Sequence, residues 1–519
     1  MQPYIAKDSV SIHDNYAVKL TRTNNDLTNN DIDCGCKNGY NSITVGCGYS
    51  SVAEHRLPKP VMRVRFPLSA PSFGAIAQLG ERYLDMVEVS QVRSLFAPPS
   101  LSPVPGVIFL YAAWGGEEMF VIYEKKRQRV PIKIWLENRA QVEEGCLEQA
   151  LNLANLPFAY KWVALMPDVH KGYGMPIGGV IAVEDAVIPN AVGVDIGCGV
   201  AFVETSIHKD RLTAEEYKAL VGQIMRDIPT GFNHHTKKQE CKTLNRSDFA
   251  GELSKRKVPE GLPQIEEGYY QIGTLGGGNH FIELQEDEGG KLCIMVHSGS
   301  RNFGYKVARF FNDRAEKLNE KLSSGVPEGY ELAFLPIETG PAASYVSWMK
   351  LALDFASENR QVMLEVVKDR LSKRIPGIEF GNVVNAHHNY AALEHHYGKN
   401  VWVHRKGAIR AGEGDIGIIP GAMGSYSYIV RGRGNPESFC SCSHGAGRKM
   451  GRRQAKKQFA VQKTVLDLKE RGVILGKRKK ADVSEECRFA YKDIDFVISQ
   501  QLDLIEPVKK LKTVAVIKG

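Results

Sequence analysis

An α+β fold, with mixed sheets and surrounding helices gathered into one complex domain, is the class predicted for residues 119–519. Three observations predict it. Short apolar runs of strand length sit between longer segments of helical spacing. These follow neither regular β-α alternation nor a fixed repeat, which argues against a barrel or a solenoid. The chain is also long enough, at 519 residues with 43% apolar content, to bury a substantial core.

Residues 1–118 do not share this organisation. They mix an Asn/Asp-rich tract (Asn24–Asp33), a Cys/Gly cluster (Cys34, Cys36, Cys47) and a Pro-rich segment (Pro98–Pro105) without sustained periodicity. Ser51–Pro71 looks like a conceptual translation across a transfer-RNA gene. The codons of Gly115-Gly116-Glu117-Glu118 must be purine-rich, as a bacterial ribosome-binding site is, and Met119 follows directly. The expectation is therefore a non-native or disordered leader over 1–118 and a natural start at Met119; peptides from 1–118 in the native protein would exclude it. The three early cysteines lack a fourth ligand at zinc-site spacing. With 10 Lys/Arg against 11 Asp/Glu, the leader contributes nothing to the chain's formal charge of +8, which arises downstream.

From Met119 the elements become regular. Val142–Asn155 has helical spacing through Cys146, Leu147, Ala150, Leu151 and Leu153, and Val163–Met166, Val180–Val183 and Val200–Glu204 read as short strands. Thr213 before Ala-Glu-Glu caps a further helix, with early carboxylates favoured by the helix dipole. Leu292–Val296 is a strand, Ala342–Val367 a long helix, Val401–Val403 a strand, and Gly447–Phe459 and Asp493–Lys509 read as helices. No apolar run approaches the eighteen or so residues that span a bilayer. The N-terminus lacks the order of a signal peptide, and ten cysteines without a secretory signal point to a reducing, cytoplasmic setting.

Loops rich in glycine carry the candidate chemistry. Asp195 and Cys198 lie three apart in Gly193–Gly199, so a hard oxygen and a soft sulfur can converge on one ion. Pro167-Asp168-Val169-His170-Lys171-Gly172 precedes them. Gly273–Glu283 delivers Asn279 and His280, His297 ends a strand before Gly299-Ser300-Arg301, and His387-His388-Asn389 ends another. Imidazole, carboxylate and thiolate together suit Mn, Fe, Co or Zn. The stretch Ser438–Arg448 offers one imidazole, His444, before Gly445, Ala446 and Gly447, where little side-chain bulk hinders a ligand.

No P-loop, H-E-x-x-H or paired C-x-x-C is present. Metal ligands, glycine turns and arginines still fit phosphoryl chemistry, because a cation neutralises charge developing on phosphate oxygens. Two basic stretches, Arg448–Lys457 and Lys477–Lys480, suit an RNA backbone, although neither has interleaved aromatics.

Taken together these residues resemble the RtcB family of GTP-dependent RNA-splicing ligases, from roughly Val130 to Lys518-Gly519. The resemblance is carried by M-P-D-V-H-K-G (Met166–Gly172), V-G-V-D-I-G-C-G (Val192–Gly199), L-G-G-G-N-H-F-I-E (Leu275–Glu283), H-S-G-S-R (His297–Arg301), H-H-N-Y (His387–Tyr390), R-K-G-A (Arg405–Ala408) and S-H-G-A-G-R (Ser443–Arg448). It implies a catalytic domain over 119–519 and two Mn²⁺ ions bridged by Cys198, one also held by His297 and His388, the other by Asp195 and His280. It implies GTP among Asn279, His280, Phe281, Ile282, Glu283, His388, Asn389, Pro420, Gly421, Ala422, Met423, Ser427, His444, Gly445, Ala446, Gly447, Tyr491 and Lys518. Ala422 departs from the serine of many relatives, which removes a hydroxyl but no backbone donor. His444 would attack the GTP α-phosphorus, and GMP would then activate an RNA 3′-phosphate, derived from a 2′,3′-cyclic phosphate, for attack by a 5′-hydroxyl.

Arg301, Lys406 and Arg448 are the candidates for holding RNA phosphates. Cys440 and Cys442, despite their place beside His444, are expected to be packing residues. The implied partners are GTP and RNA with broken or spliced tRNA-like ends, with no membrane; an activating protein is left open. Two other classes stay open as well: a metal-dependent phosphodiesterase using water, and a non-catalytic RNA-binding factor.

Overall fold

The computed structural model describes residues 119–246, 262, 266–477 and 482–519 in full. The expectations for the leader, and for Arg478–Lys480, lie outside the described residues. The larger of the two units into which the chain divides, Val107–Gly519, holds everything that follows.

The chain passes through strands Glu117–Tyr123 and Ile132–Ile134 and helix Glu144–Ala154, then forms β1 (Ala159–Tyr173) and its antiparallel return β2 (Met175–Val183). After the Gly193–Gly199 turn come β3 (Gly199–His208), helix α1 (Ala214–Asp227), β4 (Phe281–Glu286) and β5 (Lys291–Ser298). Two long helices follow, α2 (Arg301–Leu322) and α3 (Gly340–Arg374). Then come β6 (Val384–His387), β7 (Asn389–His396), β8 (Lys399–Lys406), β9 (Tyr426–Gly432) and finally β10 (Ile505–Lys518).

One sheet runs in the order β7, β8, β2, β1, Ile132–Ile134, Glu117–Tyr123. Another runs β6, β3, β5, β4, β10, β9, Ile416–Ile419, with Ile474–Gly476 parallel to β10. Side-chain alternation gives each sheet two apolar faces. In the first, Val163, Leu165, Ile181 and Val183 pack under helix Glu144–Ala154, while Ala164, Met166, Val180 and Ala182 meet Ile419, Tyr428, Val430 and Ile505 of the second sheet. In the second, Ala201, Val203, Ile282, Leu284 and Ile294 pack under α1 and α3. Phe202, Phe281, Cys293 and Met295 face the other way, toward Met423 and Leu468. The α+β class therefore stands, with its sheets mixed and its helices outside.

Thr213 caps α1 as expected: its hydroxyl accepts the N–H of Glu216, whose carboxylate accepts the N–H of Thr213. Two expected helices are corrected. Helix Gly447–Phe459 shrinks to Arg452–Gln458, because Gly447 takes φ +71° and leaves the helical region. Asp493–Lys509 is helical only over Ile494–Ser499 and becomes β10 from Ile505, where β-branched Thr513, Val514, Val516 and Ile517 favour an extended chain paired on both sides. Among the described residues no helix is long and apolar enough to cross a membrane.

Candidate active site

The Asp195–Cys198 turn closes with the N–H of Cys198 on the carbonyl of Asp195, 3.1 Å, so both side chains leave on one side. β5 ends at His297–Ser298 beside the start of β3, and β6 lies on the opposite edge, carrying His388 next to Cys198, whose carbonyl accepts the His388 N–H at 2.8 Å. The result is two groups sharing one sulfur: Cys198 with His297 and His388, and Cys198 with Asp195 and His280, the ligand atoms of each group within 4.8 Å of one another. The Cys198 Sγ is 3.3 Å from His297 Nε2 and 3.4 Å from His280 Nε2, and the latter is 3.1 Å from Asp195 Oδ2. Gly299 makes this closeness feasible, since a β-carbon there would stand 2.3 Å from Asp195 Oδ1.

The donor set fits a cation. His280 Nδ1 donates to the Leu275 carbonyl at 3.1 Å, so its neutral tautomer aims a lone pair from Nε2 at a carboxylate and a sulfur. Acceptors facing one another across about 3 Å repel unless a positive charge lies among them. Ligand atoms bound 2.0–2.3 Å from one ion stand roughly 3.3–3.7 Å apart, as the two Cys198–histidine pairs do here, with the His280–Asp195 pair slightly closer. The buried Nδ1 atoms of His297 and His388 have no hydrogen-bond partner. Burial keeps both rings neutral, hence available as ligands. It also pushes the Cys198 thiol well above its usual range, with the Asp195 charge adding to the effect, and a bound cation is what would reverse that.

His444 stands against this cluster, its ring 4.7 Å from that of His388. The residue that orients it was quoted in the sequence but given no role: Asp168, fully buried, accepts from His444 Nδ1 at 2.7 Å and from the His444 backbone N–H at 3.1 Å. A bulge in β1 places it there. His170 pairs with Ile177 and Leu165 with Gly179, so residues 166–169 of β1 stand opposite Gly178 alone, and the extra chain turns Asp168 toward the site. Gly447 must be glycine, because at φ +71° a β-carbon would lie 2.1 Å from the Asp168 carbonyl oxygen. Lys492 donates to the carbonyls of Pro167 and Val169, both at 2.8 Å, and fixes the bulge from the other side.

Sequence reasoning also missed Asn359 and Arg360 in the middle of α3. The available signal was a break in a buried stripe: Leu351, Ala352, Phe355 and Ala356 lead to this polar pair before Met363, Leu364 and Val367 resume. Asn359 accepts the N–H groups of Gly273 and Thr274 and donates to Ser298 Oγ and the Gly299 carbonyl. Arg360 donates to the carbonyls of Gly197 (2.8 Å) and Ser298 (2.9 Å), to Asn385 Oδ1 (2.7 Å) and to His387 Nδ1 (3.1 Å). It thus ties together the segments that carry Cys198, His297 and His388. Arg360→Ala leaves those buried acceptors unpaired and opens a cavity, and is expected to cost about 4 kcal/mol of unfolding free energy in urea denaturation. A loss below about 1 kcal/mol would refute the role.

Many residues expected around the nucleotide are linked to one another by contacts. Phe281 pairs with Lys518 across β4 and β10, and Lys518 lies 3.7 Å from buried Glu486. The Tyr491 hydroxyl donates to Glu486 at 2.5 Å, and Arg452 reaches both Glu486 and Asn279. The Pro420 carbonyl accepts the Ala446 N–H, Met423 bridges to Cys487, and Gly421 N–H reaches Ser427 Oγ, which Gln285 also approaches while donating to Glu283. Burial pushes the Glu283 carboxyl up to about 7. Ala422 is buried; Gly445 follows His444, and the Asn389 amide links the Asp195 carbonyl to the Gly407 N–H. Ile282 is set apart: strand alternation turns its side chain into the core under α1 and α3.

Two of the three phosphate candidates have their donors engaged by the protein itself. Lys406 is buried, with its ammonium on the carbonyls of Tyr173 and Asn190. Arg448 commits its guanidinium to Met450 O, Glu485 O, Glu486 and the Tyr491 hydroxyl instead of facing solvent. Arg301 is half-buried, donating to Thr274 Oγ1 and the Gly231 carbonyl. Cys442 is buried and Cys440 half-buried, in keeping with packing roles.

Comparison with known proteins agrees over the same residues. A family model described as tRNA-splicing ligase RtcB matches residues 149–519. The RNA-splicing ligase RtcB of Escherichia coli is 39% identical over 414 residues, covering 76% of this chain and 98% of that protein. The tRNA-splicing ligase RtcB of Thermococcus kodakarensis is 32% identical over 464 residues (76% and 96%), and the RNA-splicing ligase RtcB of Mycobacterium bovis 31% over 435 residues (72% and 100%). With its ordered motifs folded into one site and matched along that length, the chain belongs to the RtcB family.

Proposed function

We propose that this protein is a GTP- and Mn²⁺-dependent RNA ligase that joins 2′,3′-cyclic phosphate or 3′-phosphate ends to 5′-hydroxyl ends. The observation that carries the reading is the oriented His444. With Nδ1–H donated to Asp168, the Nε2 lone pair is free beside the Cys198 cluster. That is the arrangement a nitrogen nucleophile requires.

Nε2 attacks the GTP α-phosphorus; an N–P bond forms and the bond to the pyrophosphate oxygen breaks. Asp168 keeps Nδ1 protonated and balances the positive charge the ring acquires. Once water has opened the cyclic phosphate, an oxygen of the RNA 3′-phosphate attacks the same phosphorus and releases His444 neutral. The second RNA's 5′-hydroxyl then attacks the 3′-phosphorus, giving up its proton and expelling GMP. Cys198 with His297 and His388, and Cys198 with Asp195 and His280, would hold the manganese. When bound it draws charge from phosphate oxygens. We take the catalytic domain to lie within 119–519, a reading that the family model's match over residues 149–519 supports. All described cysteines are free, which supports a cytoplasmic setting.

The test combines GTP labelled at the α-phosphate, Mn²⁺, and two RNAs ending in a 2′,3′-cyclic phosphate and a 5′-hydroxyl. A covalent protein label and a joined RNA are expected, both lost when the metal is chelated. Cleavage without labelling would instead indicate a phosphodiesterase, and RNA binding indifferent to loss of Cys198 or His444 a non-catalytic factor.

A further inference from the structure

The segment Pro229–Asn233 lies along the glycine loop that delivers Asn279 and His280. The Leu275 N–H donates to the Pro229 carbonyl at 2.9 Å, the Gly231 N–H donates to the Gly276 carbonyl at 2.8 Å, and Thr230 bridges to Gly276. At its tip, Asn233 N–H and side-chain amide both return to the Thr230 carbonyl, closing a tight turn with Gly231 at φ +66°. This turn holds Phe232 fully exposed, whereas every other large apolar side chain counted as exposed among the described residues is at most 56% accessible. A solvent-facing phenylalanine forgoes about 1.5–3 kcal/mol of burial, so its placement on an anchored turn asks for an occupant.

The surroundings say which. Arg301 lies across Gly276, where a β-carbon would meet its guanidinium at 2.4 Å, and it donates to the carbonyl of Gly231, the residue before Phe232. His234 follows two residues on, its ring 6.5 Å from that of Tyr270, and Lys237 is exposed beyond it. A protein-docking patch would present contiguous apolar surface. Here the ring's chain neighbours are Gly231, Asn233 and His234, and a cation, Arg301, is hydrogen-bonded to the residue just before it. An isolated aromatic face beside a guanidinium suits a nucleobase stacked on the ring with its phosphate at the arginine.

We propose that Phe232 is a stacking platform for one RNA base near the junction, resting on the ligase reading above. Because the turn is pinned to the loop that carries His280, the stacked base fixes how far an RNA end reaches into the site.

The test uses full-length protein and an RNA with a 3′-phosphate, intact or with one abasic residue at each of the three nucleotides nearest the end, with a matching series for the 5′-hydroxyl strand. Phe232→Ala is expected to weaken intact RNA about tenfold, equivalent to ~1.4 kcal/mol, within the range of one lost stack. At one position the abasic residue should weaken wild type equally yet add nothing in Phe232→Ala. Phe232→Trp should restore affinity, and labelling by GTP should stay unchanged throughout. The proposal is overturned if Phe232→Ala binds intact RNA within twofold of wild type, if the abasic and alanine losses multiply at every position, or if Phe232→Ala instead abolishes self-association. A wild type that neither labels nor binds RNA would remove the ligase reading itself, whereas a labelling, ligating wild type matched by Phe232→Ala removes the platform alone.

Discussion

Replacing His444 by alanine is expected to abolish the covalent nucleotide label and to lower ligation by at least ~10⁴-fold, while RNA binding and folding persist. The size follows from what is removed. Asp168 is a carboxylate and cannot stand in for an imidazole nucleophile, and the ring nitrogens of the Cys198 groups are turned onto one another as ligands, so neither supplies a free nitrogen lone pair for phosphorus. Structural damage should be small, because Asp168 keeps the backbone N–H of residue 444 as a partner and the ring is only partly enclosed. Gel analysis of protein incubated with α-labelled GTP reads the first effect, and circular dichroism with RNA titration reads the second. A persistent label in His444→Ala would move the nucleophile elsewhere, His170 being the adjacent imidazole, with its ring nitrogen near the Asp168 carbonyl.

The ligand types were legible in the sequence because each sits at a strand end or glycine turn, where short motifs survive reading without a fold. Asp195 and Cys198 are three apart in one turn, and His297 and His388 end β5 and follow β6, so local spacing already limits where they can point. Resemblance supplied the pairing, since no spacing says that residues 198 and 388 meet. What stayed hidden was long-range support. Asp168 acts on His444 across 276 positions, through a bulge visible only once β1 has a partner strand. Arg360 looks like a solvated helix residue until α3 is seen lying under the loops it ties. Lys406 and Arg448 show the opposite case: a basic residue in a glycine-rich motif reads as a phosphate hook, while the fold sets its donors on the protein's own carbonyls and carboxylates. The β10 strand was masked by its lysines, whose spacing imitates a helix face while Thr513–Ile517 pairs between two strands.

Asp168→Asn separates support of the chemistry from support of the fold. The amide is nearly isosteric with the carboxylate, so the bulge, the Lys492 clamp and the backbone bond to residue 444 can all survive. Because a single oxygen, Oδ2, takes both the backbone N–H of residue 444 and Nδ1–H, the amide either keeps its oxygen there and holds the tautomer less firmly, or turns its NH₂ there, losing the backbone bond and moving the ring proton to Nε2, which removes the lone pair that attacks phosphorus. Even with the amide oxygen facing Nδ1, no charge balances the ring as the N–P bond forms. By analogy with loss of the buried aspartate from a His-based triad, the rate of label formation should fall ~10³–10⁴-fold, about 4–5 kcal/mol in barrier, with the GTP concentration for half-maximal labelling little changed. Stability should move the other way or not at all, because one oxygen of the wild-type carboxylate is buried without a hydrogen-bond partner and the neutral amide costs less to bury. Single-turnover labelling and urea unfolding on the same preparation decide it. A variant that labels within tenfold of wild type, or loses rate only in proportion to lost stability, would reduce Asp168 to a packing residue.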